Sequence, residues 1–190
     1  MHSTFSDGEF SPTKLVAIAK GNGVSVLCLT DHDTFEGIQE FLSAAKAEQI
    51  FAFPGIEITV GYRGFNLHLL AYFESAESLS DELSHEVMKM ASKREQRMRE
   101  LINRVNKVIP EKFRGTIDYE NVRCAAEGVL ARPHLAKEMV RLGIVPNTRD
   151  AFDRYLVEYN VERENLEMEK NNGNKTKFLL SILGWGNIKF

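Results

Sequence analysis

Two periodicities divide this chain. Between residues 11 and 73, short apolar runs alternate with amphipathic stretches. Ser11-Pro12 opens a helix that closes at Gly21, with proline at its first position and glycine at its end. Val24 to Thr30 is an apolar run that predicts a buried parallel strand. Phe35 to Glu48 places Ile38, Phe41, Leu42 and Ala45 on one helical face. Phe51 to Val60 predicts a second strand, Tyr62-Arg63-Gly64 a turn, and Phe65 to Phe73 a strand returning beside it. Helix alternating with strand points to an α/β sheet or barrel.

From Leu79 to Val108 the period becomes that of one long helix. Val87, Ala91, Met98, Leu101 and Val105 form its apolar stripe, and charges occupy most other faces. Further helices are expected over 118–127, 132–142 and 148–157. This helical block is read as an insertion over 76–160, following an N-terminal α/β part over 1–75. Residues 161–190 form a divergent tail. Within it, 171–190 contain no Asp or Glu, four Asn and three Lys, and show no period that extends the fold.

Composition narrows the class. A chain of 190 residues with 43% hydrophobic and 27% charged content can bury one sizeable core and is short for two full domains. A net charge of -3 leaves no electrostatic footprint for duplex DNA. No apolar run approaches the roughly 20 residues of a membrane helix, and the first residues do not read as a signal peptide. Cys28 lies in the expected core strand, far from Cys124, so a disulfide is not expected and a reducing, cytoplasmic compartment is.

The chemistry gathers where that strand ends. Asp31-His32-Asp33 follows it directly, and the carboxyl ends of parallel strands are where α/β folds place reacting groups. The candidate ligands are His2, Asp7, His32, Glu57 and His68. Imidazole nitrogen with carboxylate oxygen suits Zn, Mn or Fe, and a cluster with several carboxylates fits a hydrolytic multi-metal centre. Singly, each has a plainer explanation. His2 would be a terminal residue, Asp7-Gly8 a turn, Glu57 a solvated strand position and His68 a core histidine. In the long helix, Arg94 falls on the apolar stripe, so its guanidinium should point inward, and Arg97 lies one turn on. Lys93, Arg94, Arg97 and Arg99 read equally as a solvated face laced with Glu95 and Glu100.

His2-Ser3-Thr4-Phe5-Ser6-Asp7-Gly8, Leu29-Thr30-Asp31-His32-Asp33-Thr34, Pro54-Gly55-Ile56-Glu57-Ile58-Thr59 and His68-Leu69-Leu70-Ala71-Tyr72 together resemble the ordered motifs of the PHP (polymerase and histidinol phosphatase) superfamily. Ala131-Arg132-Pro133-His134-Leu135-Ala136 and Asp150-Ala151-Phe152-Asp153-Arg154-Tyr155-Leu156 resemble the subgroup of 3′,5′-nucleoside bisphosphate phosphatases and 5′–3′ exoribonucleases. The resemblance spans roughly residues 2–157. It implies part of a distorted (β/α)7 barrel with a helical insertion. It implies up to three Mn, Fe, Zn or Mg ions on His2, Asp7, His32, Glu57 and His68, with fewer expected here. It implies metal-activated water hydrolysing phosphate esters of small 3′,5′-bisphosphonucleotides or RNA 5′ ends. Asp33, Arg94, Arg97, Arg132 and His134 would hold the substrate.

The pattern also departs from the family. Met1 stands at the middle position of the first His-x-His motif, and the later His-Pro and Asp-x-His motifs are not found. A truncated, catalytically impaired fragment is therefore the competing expectation. Another PHP chemistry, such as histidinol-phosphate phosphatase, is the third. A sheet without its neighbours should expose edges and apolar faces, with marginal stability or association and weaker metal binding.

Overall fold

The computed structural model describes residues 1–62 and 65–156. The last two residues of the expected Tyr62-Arg63-Gly64 turn and the divergent tail lie outside the described residues. Three strands form one sheet in the order β1-β2-β3: β1 (Val26–Leu29), β2 (Phe51–Tyr62) and β3 (Phe65–Tyr72). β1 runs parallel to β2, with Val26 opposite Phe51, and β2 runs antiparallel to β3, with Glu57 opposite Leu70. The parallel pair is joined through a helix, α2 (Ile38–Ala47), as parallel neighbours require.

Each strand alternates between two faces. Leu27 and Leu29 turn toward α2 and α1 (Pro12–Gly21), where they are buried with Val16, Ala19, Ile38, Phe41 and Ala45. Helix α1 starts where its Ser11 hydroxyl accepts the Lys14 N–H. The other face is open. Val26 is 57% exposed, Phe51 65% and Tyr72 62%. The expectation of a buried β1 is thus corrected: one face packs, and the other is exposed at Val26. Register places Glu57, Thr59 and His68 on this second face, at the carboxyl end of the parallel pair.

Helix α3 (Asp81–Val108) joins two cores. Its first turns bury Leu83 and Val87 against Ile56, Ile58 and Ala71 of the sheet. Its last turns bury Met98, Ile102 and Val105 with Val122, Leu130, Leu135, Met139 and Leu156 of the helical block. That block holds α4 (Tyr119–Cys124), α5 (Arg132–Arg141) and α6 (Thr148–Ala151). The helix expected over 148–157 is α6 continued by a wide π-helical turn, Phe152–Leu156.

The apolar stripe of α3 differs in detail from the expected one. Leu83 and Ile102 are buried, whereas Ala91 and Leu101 are only half-buried. Ile102 lies four residues after Met98 and three before Val105, inside the arc they define, and Leu101 sits on its flank. Between Val87 and Met98 the helix buries no apolar side chain. Arg94 occupies that gap.

Candidate metal centre

Strand pairing continues past the end of β1 and brings the motif residues together. His32 bridges to Glu57 in parallel register. The Glu57 N–H donates to the Asp31 carbonyl at 3.0 Å, and the Asp33 N–H donates to the Glu57 carbonyl at 3.0 Å. His32 and Glu57 therefore lie side by side on adjacent strands. The chain's first residues run beside them, with the Thr30 N–H donating to the Met1 carbonyl at 3.0 Å.

Glu57 is the hub. Its Oε1 lies 2.8 Å from His68 Nδ1 and 3.5 Å from His32 Nδ1, and its Oε2 lies 3.1 Å from His2 Nε2. Asp7 closes the far side, 3.6 Å from His2 Nδ1 and 3.7 Å from His32 Nε2. The His2 and His32 rings stack at 4.6 Å, and His68 meets His32 edge-on at 5.1 Å. The structure thus gathers all five expected ligands into one cluster. His68, with its side chain 50% exposed, is the outermost.

The donor set fits a divalent ion. Ligand atoms of His2, His32 and Glu57 lie within 4.8 Å of one another. Two atoms each about 2.1 Å from an ion lie about 3.0–4.2 Å apart when they sit 90–180° apart around it. The separations above fall in or near that range, and most exceed a good hydrogen bond. Among the described residues the buried side-chain polar atoms without a hydrogen-bond partner are His2 Nδ1, His32 Nδ1 and Thr4 Oγ1, and the two histidine atoms belong to this cluster. Burial lowers the His32 pKa below 6.5, opposed by Asp7 and Glu57 and assisted by Arg94. That favours the neutral imidazole a metal needs.

Beside the cluster a second group forms around Asp33. This residue takes a left-handed backbone (φ 49°), and its carboxylate is buried. Asp33 Oδ1 accepts the Thr59 N–H at 2.8 Å and Oδ2 accepts Arg94 Nε–H at 2.6 Å. Arg94 also donates to Thr59 Oγ1 at 2.8 Å. The inward reading of Arg94 matches this geometry. Arg97 faces solvent. Arg132 is exposed, with its guanidinium 5.8 Å from the Phe152 ring centre. His134 is buried in the first turn of α5, and its Nδ1 accepts the Ala131 N–H at 3.1 Å. Its proton therefore sits on Nε2.

Sequence reasoning passed over Thr59 and the inner role of Asp31. Thr59 was findable, because it lies two residues after Glu57 and so shares its face. Asp31 is buried and receives three short hydrogen bonds from Ser3 and Ser6. Cys28 takes no part in the cluster's polar contacts, and burial pushes its thiol up to about 11, so it stays protonated at neutral pH.

Burial also lowers the His134 pKa below 6.5, with Lys137 adding to the effect. Below about pH 6.5 the unfolded chain takes up a proton that the folded chain resists. Stability of the metal-free protein should therefore fall as pH drops from about 6.5 toward the lowered folded value. His134→Gln should flatten that fall in denaturant titrations at pH 7.5 and 5.5, leaving the part due to His32.

A family model for the PHP domain matches residues 1–158. The chain belongs to the PHP domain family. It is 35% identical over 156 residues to a 5′–3′ exoribonuclease of Haemophilus influenzae, covering 82% of this chain and 54% of that protein. It is 26% identical over 156 residues to a 3′,5′-nucleoside bisphosphate phosphatase of Chromobacterium violaceum, covering 82% and 53%. Among solved structures, one from Bifidobacterium adolescentis assigned as a metal-dependent phosphoesterase superposes with a TM-score of 0.72 at 25% identity, covering 83% of this chain and 54% of that one. The chain spans about half the length of the curated relatives it matches. No helix among the described residues is long and apolar enough to cross a membrane.

Proposed function

We propose that this chain carries the metal-binding half of a PHP phosphoesterase site and hydrolyses phosphate esters of small 3′,5′-bisphosphonucleotides or RNA 5′ ends. The observation that carries this reading is Glu57, whose carboxylate faces nitrogens of three histidines at 2.8–3.5 Å. His2, Asp7, His32, Glu57 and His68 would hold the ions. Bound there, divalent ions supply an activated water and neutralise charge on phosphoryl oxygens.

The chain's own residues do the rest. His2, His32 and His68 offer neutral nitrogen, while Asp7 and Glu57 offset the ions' charge. Arg94, fixed by Asp33 and Thr59, places a permanent cation beside the cluster for an anionic substrate. His134 has Nε2–H free of its cap bond, suited to donate to a phosphate oxygen, and Arg132 beside it adds charge. Arg97 would engage only a substrate that extends over the exposed flank of α3. In this reading the sheet is the first part of a distorted (β/α)7 barrel and residues 76–160 are its helical insertion.

The test is elemental analysis of the purified chain together with phosphate release from adenosine 3′,5′-bisphosphate in added Mn²⁺. Bound metal with turnover is expected. Metal without turnover would remove the esterase activity and leave a metal-binding fragment, and no metal would overturn both.

A further inference from the structure

Asp31 lies next to His32, yet its carboxylate does not face the ligand cluster. It is 2% exposed and forms no ion pair among the described residues. Its Oδ1 accepts the Ser3 N–H and the Ser6 hydroxyl, and its Oδ2 accepts the Ser3 hydroxyl, each at 2.6 Å. Ser3 Oγ also accepts the Phe5 N–H at 3.2 Å, so its single proton is directed to Asp31. A buried carboxylate is costly without such donors, and here every donor comes from the loop of residues 2–8.

We propose that Asp31 is the positioning residue of this centre: it fixes the 2–8 loop, through Ser3 and Ser6, in the one shape that presents His2 and Asp7 to His32 and Glu57. The inference rests on the metal-binding reading above. The loop is short and tightly wound. Ser6 and Gly8 both donate to the Ser3 carbonyl, at 3.0 and 2.9 Å. A Cβ on Gly8 would stand 2.2 Å from the His2 carbonyl oxygen, so the backbone passes there only without a side chain. The helical block braces the loop from its outer side. The Val129 N–H donates to the Phe5 carbonyl at 2.8 Å, and a Cβ on Gly128 would meet that same oxygen at 2.1 Å.

Two of the five ligands therefore depend on one carboxylate that touches neither. Asparagine at position 31 keeps the volume but turns one acceptor into a donor, facing donors already committed to it. Outer-shell groups that orient ligands typically carry about 10–100-fold in metal affinity.

The experiment measures Mn²⁺ affinity by titration calorimetry in wild type, Asp31→Asn, Asp7→Asn and the double variant, with amide exchange followed on the metal-free proteins. Asp31→Asn should weaken Mn²⁺ binding by about 10–100-fold. In the Asp7→Asn background the same change should cost less than it does in wild type, because the share that acts through Asp7 is already lost and only the placement of His2 remains. Exchange should quicken at the Ser3, Ser6 and Gly8 amides and stay slow in β2 and α3. Ser6→Ala, which removes one of the three bonds, serves if Asp31→Asn does not fold, with a several-fold loss and faster exchange at 6–8 expected. Unchanged affinity and exchange, or an equal loss in both backgrounds, overturns the proposal. If wild type binds no Mn²⁺, the metal reading fails by itself, and the exchange data alone decide whether Asp31 anchors the loop.

Discussion

Exchanging Glu57 for glutamine should abolish tight Mn²⁺ binding while leaving the chain folded. Its two oxygens face nitrogens of three prospective ligands, His2, His32 and His68. Glutamine is close in size but neutral, and its amide nitrogen does not coordinate. The expected loss exceeds the roughly 100-fold that removal of an orienting outer-shell group costs. Glu57 also contributes backbone bonds to Asp31 and Asp33, and these survive the substitution. A thermal melt separates binding from folding. Ligand at about 100 times Kd stabilises the native state by about 2.7 kcal/mol, so added Mn²⁺ should raise the wild-type Tm and leave the variant's unmoved. An equal rise in both would remove Glu57 from the ligand set.

The order of elements from α1 to β3 was legible because the period of the apolar residues switches there from helix to strand several times. The meeting of His32 and Glu57 was legible for a related reason. Each closes or follows an apolar run, and the carboxyl ends of neighbouring parallel strands lie together. Arg94 could be placed because a charge on an apolar stripe has few directions to point. What stayed hidden depends on contacts between distant parts of the chain. Ser3 and Ser6 look like ordinary loop hydroxyls until Asp31, 28 and 25 residues on, is seen between them. The exposure of Val26 and Phe51 agrees with the expectation that a sheet without its neighbours shows apolar faces, although the apolar run alone tells only how much a strand can bury. Whether Leu101 or Ile102 enters the core was decided by the flank of a single helix, too small an angular difference for an apolar stripe to resolve.

Arg94→Met should be the most destabilising single change at this site. Asp33 is 3% exposed at its side chain, and Arg94, at 20%, is its cationic partner. Removing one member of a buried pair leaves the other charge uncompensated, which costs about 3–5 kcal/mol. The Thr59 N–H would still reach Asp33 Oδ1, and that bond alone leaves Oδ2 unsatisfied. Asp33→Asn should cost less. Asparagine tolerates the left-handed backbone at this position and keeps an acceptor for Thr59. The double variant Arg94→Met/Asp33→Asn should then recover part of the loss, because the neutral pair leaves no stranded charge. Urea unfolding of the four proteins measures this coupling directly. Simple additivity would mean that Arg94 and Asp33 do not act as a pair, and that α3 is held over the strand ends by its apolar contacts at Leu83 and Val87 instead. If the coupling is present, the pair ties the middle of α3 to the segment that follows β1, with Thr59 of β2 bonded to both members. The guanidinium beside the His2, His32 and Glu57 cluster is then fixed before any anion arrives.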